Sequence, residues 1–423
     1  MFKRLTSNVI IKNLSYLVTG TALAQVLIVV FQLVLRRMFT PADFGAFAVY
    51  MSIIGIIATV VSVRYEQTII LPTDENKAYN LLYLSFTIAM VVTLLATVAL
   101  LCFRNSIMQL VNFPMEYSHW LLLVPVSLFL LAIYQALNCY LIRLKQFRLS
   151  ASNKVERRVA EGITQTTLGA MGVQTGLVWG DIAGQFVNAL AAGFKVHKFV
   201  GHLQVSWQTM REVANEYRSF PLQNCLPAFL NALGLLLPTI FINRLFDEQT
   251  TGLFDLARML MVMPLSLVTA SMGQVLVQRF TELRNARKPV RAEAKKIALM
   301  LAAASTAFAV LAFLLAPMFM ALVFGETWRE SGYYVQILVW AFALKFVVSP
   351  FNIIFTAFEK IGRLSMWQII YFLLILSLAI VPVKSIYSFL TYYLIVELIS
   401  YIIAGIMVIR VMKEYELELN NLE

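Results

Sequence analysis

Apolar runs of about twenty residues or more recur along the whole chain, the length a helix needs to cross the hydrocarbon core of a bilayer. In that solvent only helices and closed barrels pair every backbone group internally. A barrel would be written as short strands of alternating polarity. These runs are continuous, so the fold class is all-α integral membrane. Composition agrees: 60% of the 423 residues are hydrophobic and 13% charged, where a soluble domain carries about a quarter charged.

The runs predict about twelve transmembrane helices, at about 13–35, 43–71, 79–101, 119–142, 157–174, 176–194, 220–243, 252–278, 297–323, 333–358, 364–382 and 386–409. The fifth is the most polar, holding Glu161 with several threonines and glycines. Alternating these spans from a cytoplasmic N-terminus tests the number. Lys3, Arg4, Lys12, Lys77, Arg143 to Arg158, Lys195, Lys198, Arg211, Arg218, Arg279 to Lys296, Lys360, Arg363, Arg410 and Lys413 fall inside. Arg36, Arg37, Arg104, Arg244, Arg329 and Lys384 fall outside. About 25 cations face about 6, the bias that orients membrane proteins, and an odd number of spans would spoil it. Both termini are therefore expected in the cytoplasm. The first run, Leu14 to Leu35, is too long for a signal-peptide core and reads as a retained anchor. All outer loops are short, the longest lying around Cys102 to Ser118. The expected division is a six-helix bundle over 1–194, a cytoplasmic linker over 195–219 and a second six-helix bundle over 220–423.

A faint repeat joins the halves. Arg37-x-Phe39 and Gly45-x-Phe47 recur as Arg244-x-Phe246 and Gly252-x-Phe254, all at an offset of 207, which Gln67 and Gln274 share. The offset maps span two onto span eight, both running outside to inside. That is a parallel pseudo-repeat, a transporter plan with the site between halves.

The net charge of +11 is accounted for by the inner loops and calls for no nucleic acid. Cys102, Cys139 and Cys225 are scattered, and His119, His197 and His202 lack HExxH spacing, so neither a disulfide framework nor a metal site is signalled. A GxxxxGK[ST] phosphate loop, a DxD pair and GxSxG are all missing. The chain reads as no enzyme and as carrying no cofactor.

Charges inside spans are the informative residues, since each costs about 2.5–3.5 kcal/mol or more at a helix centre. Arg64 and Glu66 lie in span two, on a helix expected to continue to Leu71 before Pro72. At i and i+2 they point to different faces, so each needs another partner: a cationic cavity wall with a carboxylate, or a snorkelling arginine and an interhelical bond. Asp255 and Arg258, at i and i+3 in span eight, share a face and suit a local ion pair, with Asp255 also favoured by the helix N-terminus. Lys345 and Glu397 fall midway through spans ten and twelve. They form either an interhelical pair or a substrate-facing lysine beside a titratable carboxylate. Asp181 and Glu161 fall nearer span ends and read as structural. Gln25 and Gln32, seven apart on span one, share a face and either tie helices or touch substrate. Gly176, Gly180 and Gly184 make a small-residue ladder for close packing. Pro125, Pro227, Pro238, Pro264, Pro317 and Pro350 lie in or near spans, where proline kinks helices.

The stretch Arg36-Arg37-Met38-Phe39-Thr40-Pro41-Ala42-Asp43-Phe44-Gly45-Ala46-Phe47, followed by Arg64-Tyr65-Glu66 and Ile70-Leu71-Pro72, resembles the first loop of the polysaccharide-translocase (Wzx-type) family. A second match runs from Phe220-Pro221 through Leu237-Pro238, Thr251 to Phe254 and Met263-Pro264 to Gln278-Arg279-Phe280. The family sits within the multidrug/oligosaccharidyl-lipid/polysaccharide exporter superfamily, and the resemblance spans nearly the whole chain. It implies two six-helix bundles, alternating access, and export of undecaprenyl-pyrophosphate-linked oligosaccharide across a bacterial inner membrane for O-antigen, capsule or exopolysaccharide synthesis. Multidrug extruders of this superfamily commonly carry an acidic residue in the first helix, where this chain has only glutamines. Lipid II flippases typically have two extra helices and an arginine within the first, and neither is found here.

The expected cargo is a polyprenyl-pyrophosphate oligosaccharide whose head cannot cross unaided. Arg64, Arg258 and Lys345, with Gln25 and Gln32, are the expected substrate contacts, the guanidinium fork suiting phosphate oxygens. Proton or sodium coupling would run through Glu66, Asp255 or Glu397. Membrane lipids and other polysaccharide-assembly membrane proteins are the expected partners. The rival readings are a cation-coupled multidrug antiporter and a membrane-bound polysaccharide polymerase or ligase. The short outer loops weigh against the enzyme.

Overall fold

The computed structural model describes the backbone of residues 2–200 and 203–420, and their side chains save those of residues 2–18, 270, 271 and 274. The side chains of Lys3, Arg4, Lys12, Asn13 and Gln274, and all of His202, lie outside that set. The described chain is helical throughout, with no strand among the described residues. In order run α1 (Phe2–Met38), α2 (Pro41–Ala58), α3 (Glu75–Val111), α4 (Val124–Arg143), α5 (Phe147–Ala170), α6 (Gly176–Val200) and α7 (Trp207–Glu216). There follow α8 (Ser219–Leu245), α9 (Glu248–Asn285), α10 (Arg291–Phe324), α11 (Arg329–Val348), α12 (Ile353–Ala357), α13 (Ile361–Leu376) and α14 (Ile386–Asn420).

All but α7 and α12 correspond to the twelve expected spans. Among the described residues ten helical segments are long and apolar enough to cross a membrane, and α5 and α6 fall short of that measure. Several boundaries move. The fifth helix begins at Phe147, ten residues before the expected start of its span at 157, so Arg157, Arg158 and Glu161 lie in its middle. Pro264 and Pro317 do sit inside helices, whereas Pro125 occupies the first turn of α4. There its missing N–H costs nothing and it starts the helix without kinking it.

The chain divides into two units, Met1–Leu236 with Asn243–Thr251, and Leu237–Ile242 with Gly252–Glu423. In the first, α5 packs on α1, α4 and α6. The glycine ladder explains how closely. A Cβ on Gly180 would sit 2.1 Å from Gln165 Cγ, and one on Gly184 2.8 Å from Glu161 Cβ and 3.0 Å from the Arg157 carbonyl. Across the other face of α5, Gly162 leaves room for the Phe31 ring of α1. In the second unit α11 lies between α10 and α14, and Gly332 presses on the backbone of Pro317.

The repeat survives in the helix caps. Thr40 caps α2, its hydroxyl accepting from Asp43 N–H at 3.2 Å, while Asp43 accepts from Thr40 N–H at 2.8 Å. At the shared offset, Asp247 accepts from Thr250 N–H at 2.6 Å at the head of α9. The two positions exchange residue types and keep the N-capping bond. Between α6 and α8, α7 turns Met210 and Val213 inward. It is tied to α3 by Lys77 and Glu216 at 2.7 Å, and that ammonium holds the Glu216 carboxyl below the usual carboxylate range.

Gly180→Val is expected to destabilise the purified protein by about 1–3 kcal/mol, because overpacking at this contact must spread α5 from α6. A thermal-unfolding midpoint equal to that of the parent would show that the two helices do not meet there.

Candidate functional site

In the first unit the most unusual backbone lies after α2. The helix stops at Ala58, where the β-branched run Thr59-Val60-Val61 begins. Val63 and Arg64 then both take left-handed conformations, with φ of 50° and 67°, and Tyr65–Ile70 form a 3-10 turn. The expected unbroken span over 43–71 is corrected here: Arg64 and Glu66 stand on a corner. A β-branched residue at positive φ is a genuine outlier, and such strain of about 1–3 kcal/mol per residue persists only where surroundings enforce it. Enforcement is visible. The Arg143 guanidinium of α4 donates to the carbonyls of Ile69, Pro72, Thr73 and Asp74, and the Tyr65 hydroxyl donates to Ala214 O at 2.8 Å.

Glu66 is buried and accepts from the Ser62 hydroxyl at 2.6 Å. Arg64 is half-buried, forms no ion pair among the described residues, and its Nε is buried without a hydrogen-bond partner. Its neighbour Val63 lines a cavity of about 330 Å³ with Val60 and, from α8, Pro221, Leu222, Cys225 and Phe229. On α1, Gln32 accepts from Arg36 Nε at 2.9 Å, and the buried Arg36 guanidinium stacks 3.6 Å above Phe44. Gln32 is thus engaged in holding a neighbour; Gln25 is half-buried on the same helix.

The first unit also contains a polar network that sequence reasoning assigned to span ends. Asp181 of α6 is fully buried, 3.3 Å from Arg157 Nη2, and accepts from Ser127 Oγ at 3.2 Å. Ser127 in turn shares a 2.7 Å hydrogen bond with the Tyr50 hydroxyl. Arg158 pairs with Glu161 at 2.7 Å, and Lys195 with Glu156 at 2.8 Å. The signal was present as the i, i+4, i+7 row Asp181, Gln185 and Asn188 on α6 and the Arg157–Glu161 spacing on α5.

In the second unit the structure brings together Lys345 and Glu397, whose charged atoms lie 3.5 Å apart. Both are buried. The other Glu397 oxygen accepts from Tyr371 OH at 2.7 Å. The Lys345 ammonium lies 5.0 Å from the Tyr401 ring centre and 5.4 Å from that of Phe342, a cation–π setting. Trp367 stacks on Tyr371 at 5.7 Å and meets Tyr401 edge-on. Arg258 donates to Thr239 Oγ1 at 2.9 Å and interacts electrostatically with Lys345 and Tyr393. Asp255 is half-buried one turn earlier on α9. No cluster among the described residues could hold a metal, and the three cysteines are free.

Residues 34–332 match the family model for a polysaccharide biosynthesis protein. The chain belongs to that family. No curated protein sequence matches it significantly. Its fold is similar to an inward-facing multidrug resistance MATE family transporter of the MOP superfamily, with a TM-score of 0.76 at 11% identity over 93% of this chain and 95% of the other. It is also similar to the lipid II flippase MurJ in an inward closed conformation, with a TM-score of 0.73 at 12% identity over 95% of this chain and 90% of that one. A MOP superfamily transporter from Pyrococcus furiosus, described as having a reversed-polarity binding pocket, gives 0.65 at 13% identity over 96% of each chain. The fold is therefore that of the MATE and MurJ transporters.

Glu397→Ala is expected to cost about 3–5 kcal/mol of stability, since it leaves the Lys345 ammonium buried without its carboxylate. The double replacement Lys345→Met with Glu397→Ala should lose less than the losses of Lys345→Met and Glu397→Ala added, measured as a double-mutant cycle on unfolding midpoints. Strict additivity would mean that the two side chains are not coupled.

Proposed function

We propose that this protein is a flippase that carries undecaprenyl-pyrophosphate-linked oligosaccharide units from the cytoplasmic to the periplasmic leaflet of a bacterial inner membrane. The units supply O-antigen, capsule or exopolysaccharide synthesis, and both chain termini lie in the cytoplasm. The observation that carries this reading is Arg64, a part-buried guanidinium on an enforced backbone corner, with no carboxylate partner among the described residues and a buried Nε left open. A buried donor without a partner costs about 1–3 kcal/mol, more for a charged group. Phosphate oxygens relieve that cost, and the planar fork suits them. Membership of a polysaccharide biosynthesis family and a fold shared with a lipid II flippase point to the same cargo class.

Arg64 makes the first pyrophosphate contact in this reading. Arg258 and Lys345 contact the anion on its way out, with Lys345 exchanging Glu397 for phosphate. Gln25 and Gln32 face the sugar. Glu66, Asp255 and Glu397 are the candidates for proton or sodium coupling. An inside-negative potential favours outward movement of an anion by about 2.3 kcal/mol per charge per 100 mV, so the chain needs no ATPase activity. Membrane lipids surround it, and other polysaccharide-assembly membrane proteins deliver and receive the cargo.

The test places the purified protein in liposomes with fluorescent polyprenyl-pyrophosphate oligosaccharide in one leaflet and follows access of an impermeant quencher to the sugar. Arg64→Ala is expected to slow transfer about tenfold or more, as loss of a charge-assisted hydrogen bond of about 1.5–3 kcal/mol requires, with Arg64→Lys between it and the parent. Unchanged transfer in Arg64→Ala would remove Arg64 from the site. No transfer by folded protein under imposed ion gradients, with efflux of organic cations instead, would establish the multidrug antiporter.

A further inference from the structure

The second unit has a recess that the transport reading does not use. It lies where the start of α10 meets the ends of α11 and α14, has a volume of about 420 Å³, and is walled by Ala294, Ala298, Val348, Phe351, Val408 and Met412. That size lies in the range of about 300–1,000 Å³ typical of ligand sites. Its walls are apolar, and its rim carries two cations, Arg291 and Lys295.

Neighbouring carboxylates do not neutralise both cations. Glu293 is taken by Arg279, at 2.7 and 3.0 Å. Glu416 accepts from the backbone N–H groups of Val290 and Arg291 at 3.0 and 2.9 Å and reaches the Arg291 guanidinium only at 3.7 Å. Lys295 is exposed and in no ion pair among the described residues. Arg410 and Lys413, at the same end of α14, are also exposed. The charge count assigns this end of the unit to the cytoplasm.

Gly405 supplies an independent observation. It lies inside α14 and lines the recess. A Cβ there would meet nothing nearer than Val348 Cγ2 at 3.7 Å, an ordinary contact. Packing therefore does not require glycine, which costs a helix about 0.5–1 kcal/mol relative to alanine. What its bare backbone does is keep the recess open between α11 and α14.

An apolar slot opening on one lysine without an ion pair among the described residues and one loosely paired arginine at the inner membrane surface matches an amphiphile with an anionic head. Basic pockets between transmembrane helices on the cytoplasmic side bind such head groups. We propose that this recess holds one anionic glycerophospholipid of the cytoplasmic leaflet. Its phosphate sits at Lys295 and Arg291, and one acyl chain runs past Val348, Gly405 and Val408.

The test adds an equimolar mixture of phosphatidylglycerol and phosphatidylcholine to the full-length protein in detergent and identifies retained lipid by native mass spectrometry. One phosphatidylglycerol should be retained over phosphatidylcholine by about tenfold or more, as two cations at an anionic surface provide. Lys295→Glu and Gly405→Leu should each abolish the preference, and Lys384→Glu, an exposed cation elsewhere, should keep it. If Gly405→Leu does not fold, Arg291→Glu at the exposed rim takes its place. Equal retention of the two lipids, or an undiminished preference in Lys295→Glu, overturns the proposal. So does full displacement of phosphatidylglycerol by polyprenyl phosphate at equal concentration, which would assign the recess to cargo.

Discussion

Hydrocarbon offers no hydrogen bonds, so each charge and each open backbone group within the membrane has to find its partner inside the protein. Most of the structure described here answers that demand. Beyond the end of α2, the carbonyls of Ile69, Pro72, Thr73 and Asp74 at the exit of the 3-10 turn all accept from one side chain, Arg143. A guanidinium is suited to this because its donors spread in a plane and it stays charged. The chain that follows the left-handed corner at Val63 and Arg64 is thereby tied to α4.

The two units meet the demand in different ways. In the first, charges on α5 are balanced by close neighbours on α5 and α6, and the glycine ladder brings the two helices close enough for Arg157 to reach Asp181. Small residues are thus a condition of the electrostatics as well as of packing. The second unit buries the Lys345–Glu397 ion pair among tyrosines, phenylalanine and tryptophan. The aromatic faces offset part of the ammonium's desolvation, and the phenol of Tyr371 occupies the carboxylate oxygen that Lys345 leaves free.

Fold class was legible because apolar run length is a direct reading of membrane thickness, and ten helical segments among the described residues meet it. The Lys345–Glu397 pair was legible too, since two opposite charges at mid-span leave few alternatives. The start of α5 was not. Apolarity marks a helix only when its surface faces lipid, and α5 carries Lys154, Glu156, Arg157, Arg158 and Glu161 whose partners lie on α1, α5 and α6. Counting cations toward the inner loop therefore put Arg157 and Arg158 at the start of a span, whereas they lie in the middle of the helix. The corner at Arg64 was hidden for another reason. The residues 59–71 are apolar enough to extend a span, and the chain just beyond the break is held by Arg143, about 70 positions away in sequence.

The contrast between Arg64 and Lys345 bears on how a carrier of an anion would divide its labour. A cation already bonded to a buried carboxylate gives up that bond before it receives phosphate, so its net contribution to binding is small. A cation with an unsatisfied nitrogen gives up little. On the proposed reading, strong capture is therefore better placed at Arg64, and weak, reversible contact at Lys345. On the same reading, a Lys345 that turned to cargo would leave Glu397 with its Tyr371 hydrogen bond and no cation.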